Sequence, residues 1–358
     1  MIRLLSIILL SISAISAYSQ VYHDMAKFPI FGTLAPDATN HYSRLPDSLQ
    51  TKVREKLWYL GQNSAGMAVR FATDATSIYV KYKPLNNFAM NHMAPTGVKG
   101  MDLYILMPGN KWAHAGTVLP SSKGETAKAF IKDMPKTGMR EYMLFLPLYD
   151  GVEYLQIGIN KGAVIKQPVA DLPYRNKPLV MYGTSIMQGG CASRPGMAHT
   201  NILQRKLNRE VINLGFSGNC KLDLEIADIM AKSDAGAFVL DVLPNNTVNS
   251  LNEKLEPFYR RLRDSHPSTP IILVENAMNP RTHFDSSSLA NMNLLNNTLR
   301  TFFDRMIVEG DKNLYYFQAG DILDDEAEGT VDGIHFTDYG FMNFANALYP
   351  ILKKLLSD

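Results

Sequence analysis

Five residues in the C-terminal half have the types that acyl transfer through a serine requires: Ser185, Gly218, Asn245, Asp332 and His335. That chemistry needs a nucleophile, a base to take its proton, a group to orient the base, and donors for the developing oxyanion. Ser185 follows the apolar run Leu179-Val-Met-Tyr182 after Gly183 and Thr184, where a buried strand gives way to a turn. Asp332 and His335 lie three apart in Val331-Asp-Gly-Ile-His335, so the carboxylate can take the Nδ1 proton and leave Nε2 facing a serine. Imidazole ordinarily ionises near neutral pH and is the natural base. Of the 8 histidines, His335 alone combines an acidic partner at this spacing with a place at a strand-end loop. Gly218 lacks a Cβ and can bring its amide close to a substrate oxygen. Asn245 carries a side-chain donor that could reach the same point. Each residue also has a plain structural reading: Ser185 and the Asp332–His335 pair as helix caps, Gly218 and Asn245 as turn residues. Jointly those readings would require four separate loops to imitate one site.

The elements that must position these residues are legible as strand–helix alternation. Apolar strands are expected at Leu179–Tyr182, Val211–Leu214, Ala237–Val242, Ile271–Val274 and Leu314–Phe317. Helical patterns lie between them at Met197–Leu207, Leu222–Ala231, Leu251–Arg263 and Leu289–Met306, and a last helix runs from about Asp338 to Leu356. This implies a parallel five-stranded sheet covered on both faces, a three-layer αβα sandwich. In open α/β sheets the ligand site lies at the strand C-termini. Every candidate occurs there, in loops that include Asn213–Asn219, Asp241-Val-Leu-Pro-Asn-Asn246 and Glu275–Asn279. A helix beginning at Ser185 would add its N-terminal dipole to the oxyanion site.

Upstream the texture differs. Met67–Ala72, Ser77–Tyr82, Asp102–Met107, Tyr142–Pro147 and Tyr154–Ile159 read as short strands between Gly, Pro, Asn and Asp turns, the pattern of a β-sandwich or jelly roll. A short helix is expected around Ser48–Lys56. Pro168, Pro173 and Pro178 mark a linker. The expected division is residues 1–19, a β-domain over 20–165, a linker over 166–177 and an α/β domain over 178–358. In residues 1–19, Arg3, the apolar run Leu4–Ile15 and Ala17-Tyr-Ser19 form a secretory signal peptide pattern, too short for a membrane span. The expectation is export, to a periplasm or the extracellular space, without stable membrane insertion.

A formal charge of +2 with no basic run gives no support for nucleic-acid binding. No metal and no cofactor are called for, since no His-x-x-x-His or clustered His/Asp pattern appears at usable spacing. Cys191 and Cys220 are the only cysteines, each a few residues past a candidate loop. A disulfide bracing the nucleophile against the oxyanion donor is one reading, and two free thiols is the other. His92, in Asn91-His-Met-Ala-Pro95, reads as a surface-loop residue, with reach over the active site as the alternative. Oligomeric state is not specified.

The set Gly183-Thr-Ser185, Gly218, Asn245 and Asp332-Gly-Ile-His335 resembles the four blocks of the SGNH, or GDSL, hydrolases. Gly100-Met-Asp-Leu-Tyr104 is similar to the Gly-x-Asp-Leu-Tyr signature of a β-domain preceding one branch of that family. The resemblance implies a flavodoxin-like hydrolase domain. Its catalytic residues would be Ser185, Asp332 and His335, and its oxyanion hole Ser185, Gly218 and Asn245. It also implies an ester substrate, small molecule or oligosaccharide, most simply an O-acetyl group on carbohydrate. Lipid esters, acyl transfer and non-catalytic glycan binding are the competing readings. Two departures bear on substrate: Thr184 stands where the family has an acid, and Leu243-Pro-Asn-Asn246 replaces Gly-x-Asn-Asp.

Overall fold

The computed structural model describes residues 20–121, 124–169, 177–323, 326 and 328–357. The signal-peptide pattern and most of the expected linker lie outside them. Ten strands come first: β1 Gln20–Asp24, β2 Ile30–Phe31, β3 Ala68–Thr73, β4 Ile78–Pro84, β5 Met101–Met107, β6 Lys111–Val118, β7 Thr126–Ile131, β8 Arg140–Phe145, β9 Val152–Asn160 and β10 Ile165–Lys166. They form two antiparallel sheets, β1-β9-β4-β7 and β10-β3-β8-β5-β6, with β2 added beside β3. Val80, Tyr82, Leu155 and Ile157 from one sheet meet Val69, Phe71, Leu103 and Leu144 from the other in a common apolar core. The five expected strands are present. The additional long strands, β6 and β7, are edge strands with substantially exposed residues, so they carry no continuous apolar run. The early helix, α1 (Glu55–Gly61), starts later than expected, and α2 (Pro95–Lys99) follows it.

The second half contains five parallel strands, β11 Leu179–Gly183, β12 Val211–Gly215, β13 Ala237–Asp241, β14 Ile271–Val274 and β15 Leu314–Phe317, in the order β12-β11-β13-β14-β15. All residues of β11 through β14 are buried. Their side chains alternate between two apolar cores: Val180 and Tyr182 with Phe238 and Leu240 on one face, Leu179 and Met181 with Val239 on the other. Helices α3 (Ser185–Gln188), α4 (His199–Leu207), α5 (Leu224–Ala231), α6 (Val248–Ser265), α7 (Pro280–Phe284), α8 (Ser286–Val308) and α9 (Asp338–Leu355) complete this half. The parallel three-layer architecture and the antiparallel β-domain are as expected. No helix among the described residues is long and apolar enough to cross a membrane.

The two halves share their cores. Leu45, Leu49, Leu57 and Leu60 pack into one face of the parallel sheet, and Met93, Val98, Leu148 and Tyr149 into the other. Arg44 is fully buried and donates to four carbonyls: Asn63 at 2.7 Å, Leu60 at 2.6 Å, Asn213 at 2.9 Å and Gly215 at 2.8 Å. The last two belong to β12, so Arg44 pins the strand end that leads to Gly218. The Gly-x-Asp-Leu-Tyr segment makes a second clamp. Asp102 Oδ2 accepts from Arg194 at 2.7 Å and from the Gly196 amide at 2.8 Å, and Arg194 also donates to the Tyr104 hydroxyl at 2.8 Å.

Candidate active site

Ser185 follows β11 by two residues. Gly183 is required there, since a Cβ would lie 2.7 Å from the Met187 side chain and 2.9 Å from the Asp241 carbonyl. The helix at Ser185 is one turn, capped by Thr184 and closed by Gly189 in the left-handed region (φ +104°). The expected dipole of a helix beginning at Ser185 is therefore that of one turn of peptides. The Ser185 carbonyl is held by the Gly190 amide at 2.7 Å and by the Tyr149 hydroxyl, from the β-domain, at 3.2 Å.

Asp332 and His335 occupy a tight loop before α9. Its base is fastened by Val331 N–H to His335 carbonyl (2.8 Å) and by a bridge between Thr330 and Phe336, and Gly333 supplies a positive φ of +84°. Asp332 Oδ1 accepts from the Ile334 amide at 3.1 Å and the His335 amide at 2.8 Å, while Oδ2 lies 2.8 Å from His335 Nδ1. His335 Nε2 is 2.9 Å from Ser185 Oγ. Burial alone would raise the Asp332 carboxyl, but hydrogen bonds from the His335 amide and ring and the Ile334 amide outweigh it and hold the pKa at about 2. The helix-cap reading of this pair does not apply, because α9 is capped by Thr337.

Gly218 lies in the turn closed by Asn219 N–H to Phe216 carbonyl (2.8 Å), with φ +67° and open space where a Cβ would stand. Among the described residues, no acceptor meets the Ser185 or Gly218 amide. Asn245, after β13, accepts the Cys220 amide on Oδ1 at 3.3 Å, and its backbone carbonyl accepts from Lys221 Nζ. Since a backbone N–H must face the oxygen, the Asn245 NH₂ is left free to donate. Its neighbour Asn246 is structural, donating to the Cys220 and Val242 carbonyls at 2.8 and 2.7 Å.

The disulfide reading is corrected. Cys191 and Cys220 are both buried free thiols, and they belong to cores on opposite faces of the parallel sheet. Cys191 instead sits beside His335: the donor atoms of His92, Cys191 and His335 lie within 4.8 Å of one another. These are the residues that a cation could address. However, burial pushes the Cys191 thiol up to about 12, so it keeps its proton at neutral pH, and both His335 nitrogens already face Asp332 and Ser185.

His92 is the second correction. Its ring centroid lies 5.5 Å from that of His335, so this β-domain loop does reach the site. Arg44 and Tyr149 also support the site, yet carried no signal in the sequence, being a lone arginine in a Pro-containing stretch and a tyrosine after a strand. Asp241, in the expected strand-end loop Asp241–Asn246, ends β13 with 5 % exposure, and burial pushes its carboxyl up to about 7.

The sequence matches the GDSL-like lipase/acylhydrolase family over residues 176–353, and the N-terminal GxDLY domain of SGNH hydrolase-type esterases over residues 20–165. A protein described as a GDSL-like lipase from Bacteroides ovatus superposes with a TM-score of 0.88 at 32% identity, covering 94% of this chain and 98% of that one. The chain belongs to the GDSL-like acylhydrolase family. Within this family fold, two more remote structures show the same architecture. The salicylyl-acyltransferase SsfX3 from a tetracycline biosynthetic pathway has a TM-score of 0.74 at 16% identity, with coverage of 92% and 95%. The acetyl xylan esterase Est2A from Butyrivibrio proteoclasticus has a TM-score of 0.60 at 12% identity, with coverage of 94% and 98%. A search of curated proteins returned no match. The GxDLY segment of this acylhydrolase is the clamp formed by Asp102 and Tyr104, which ties the β-domain to the loop between α3 and α4.

Proposed function

We propose that this protein is an exported serine esterase that removes acyl groups, most simply O-acetyl groups on carbohydrate, through a Ser185–His335–Asp332 triad. The reading is carried by the continuous contact from Asp332 Oδ2 through His335 to Ser185 Oγ, 2.8 and 2.9 Å. Ser185 Oγ attacks the ester carbonyl while His335 Nε2 takes its proton, and ionised Asp332 steadies the imidazolium. The oxyanion is received by the Ser185 and Gly218 amides and the Asn245 NH₂. His335 returns the proton to the leaving alcohol, then activates water to release the acid. The reaction uses no cofactor. The adjoining cavity sets polar groups (Asp241, Glu275, Asn279, Arg281) among apolar ones such as Met292 and Leu295, and so offers hydrogen-bond partners to a hydroxylated substrate.

The test is release of acetate from p-nitrophenyl acetate and from acetylated xylo-oligosaccharides, wild type beside Ser185→Ala. Wild-type turnover on both, with loss of at least about 10⁴-fold in the variant, is expected. An unimpaired variant rejects the assignment. Turnover confined to p-nitrophenyl acetate rejects the carbohydrate part alone.

A further inference from the structure

The triad leaves one neighbouring cavity unused. It has a volume of about 260 Å³ beside the ends of β13 and β14, and its wall includes Ile186 and Ile334, the chain neighbours of Ser185 and His335. Asp241 lines it. By the alternation of β13, Asp241 shares a face with Ala237 and Val239, both fully buried in an apolar core. An apolar side chain would continue that pattern. Instead the position holds a carboxyl that is 95 % buried and makes no hydrogen bond or ion pair with any described residue. Lining the cavity, this carboxyl finds its hydrogen-bond partners in what enters the cavity and not in the fold around it. Other groups on the same wall are polar too. Arg281 has no acidic partner among the described residues and lies next to the catalytic loop, its side chain 3.7 Å from where a Gly333 Cβ would stand.

We propose that this cavity is a substrate subsite for a hydroxyl-bearing part of the ester, with Asp241 the residue that hydrogen-bonds the hydroxyl and sets specificity. The inference rests on the esterase reading above and deepens it. With its carboxyl pushed up to about 7, Asp241 is substantially protonated near neutral pH and can both donate to a hydroxyl oxygen and accept from a hydroxyl hydrogen. A site built to bond a hydroxyl rejects the analogue lacking it, because the site's own polar group is then left unpaired. The hydroxyl can belong to the acyl group or to the alcohol, and the two sources are separable by experiment.

Two matched pairs make the test. p-Nitrophenyl 3-hydroxybutyrate against p-nitrophenyl butyrate probes the acyl side. Methyl 6-O-acetylglucoside against cyclohexylmethyl acetate probes the alcohol side. The wild-type protein is expected to favour the hydroxylated member of one pair by roughly tenfold or more in kcat/KM, mainly through KM, and that pair identifies the side. Asp241→Leu, or Asp241→Val should leucine not fold, is expected to bring the preference to within about twofold, while Asp241→Asn keeps most of it. No preference in either pair, or a preference undiminished in the folded apolar variant, overturns the assignment. Failure of the wild type to open even the plain esters, or equal turnover by Ser185→Ala, is a failure of the esterase reading itself.

Discussion

Asn245 has two amide ends, and only the oxygen is engaged, by the Cys220 amide. If its NH₂ receives the oxyanion, Asn245→Ala should lower kcat by roughly 10²- to 10³-fold with little change in KM, because the bond matters most in the transition state. Steady-state kinetics on p-nitrophenyl acetate check this. Asp241 makes a different prediction, in stability. Its folded pKa, about 7, lies above the ordinary carboxyl value of 3.8, so folding holds a proton that the unfolded chain releases. Stability from this residue is greatest below pH 3.8, declines as pH rises towards 7, and is flat above. At about 1.4 kcal/mol per unit, the decline amounts to a few kcal/mol. Asp241→Asn should therefore stabilise the protein in urea at pH 8 and gain less at pH 5. Glu275 and Arg281 face the same cavity and the Cys220 thiol lies within electrostatic reach, so the comparison is made against the same background in both proteins.

At the scale of elements, β12 shows how remote chain segments fix the strand that leads to the Gly218 turn. Arg44 joins two of its carbonyls to those of Leu60 and Asn63, and burial lowers the guanidinium pKa to about 9. Arg44→Met would leave four buried carbonyls without this donor, at about 1–3 kcal/mol for each one left unsatisfied. The expected result is a loss of at least about 3 kcal/mol in denaturant unfolding, and an unchanged midpoint would contradict this role. The contrast with Ser185 and His335 explains what the sequence made legible. Buried parallel strands such as β11 and β13 are apolar on both faces, so their ends, and the residues just beyond, can be read from composition. The triad follows from those ends. The edge strands β6 and β7 lack such a run. Arg44 and His92 act across more than a hundred residues of sequence and Tyr149 across 36, through packing that no local pattern encodes. The free cysteines teach the same point: neighbouring strands brought Cys191 and Cys220 close in sequence logic, but the turns after them direct the thiols into opposite cores.

For the whole molecule, the β-domain is part of the hydrolase architecture. Its residues complete both cores of the parallel sheet, its GxDLY motif clamps the loop after the Ser185 turn, and its Tyr149 hydroxyl bonds the Ser185 carbonyl. All of this converges on one serine whose Oγ faces His335 Nε2. The most direct measurement is therefore peptide mapping of the intact protein after treatment with a fluorophosphonate, which labels an activated serine nucleophile. The account predicts a single adduct on Ser185, lost when His335 is replaced by alanine. An adduct on another residue, or a Ser185 adduct formed equally well without His335, would contradict it.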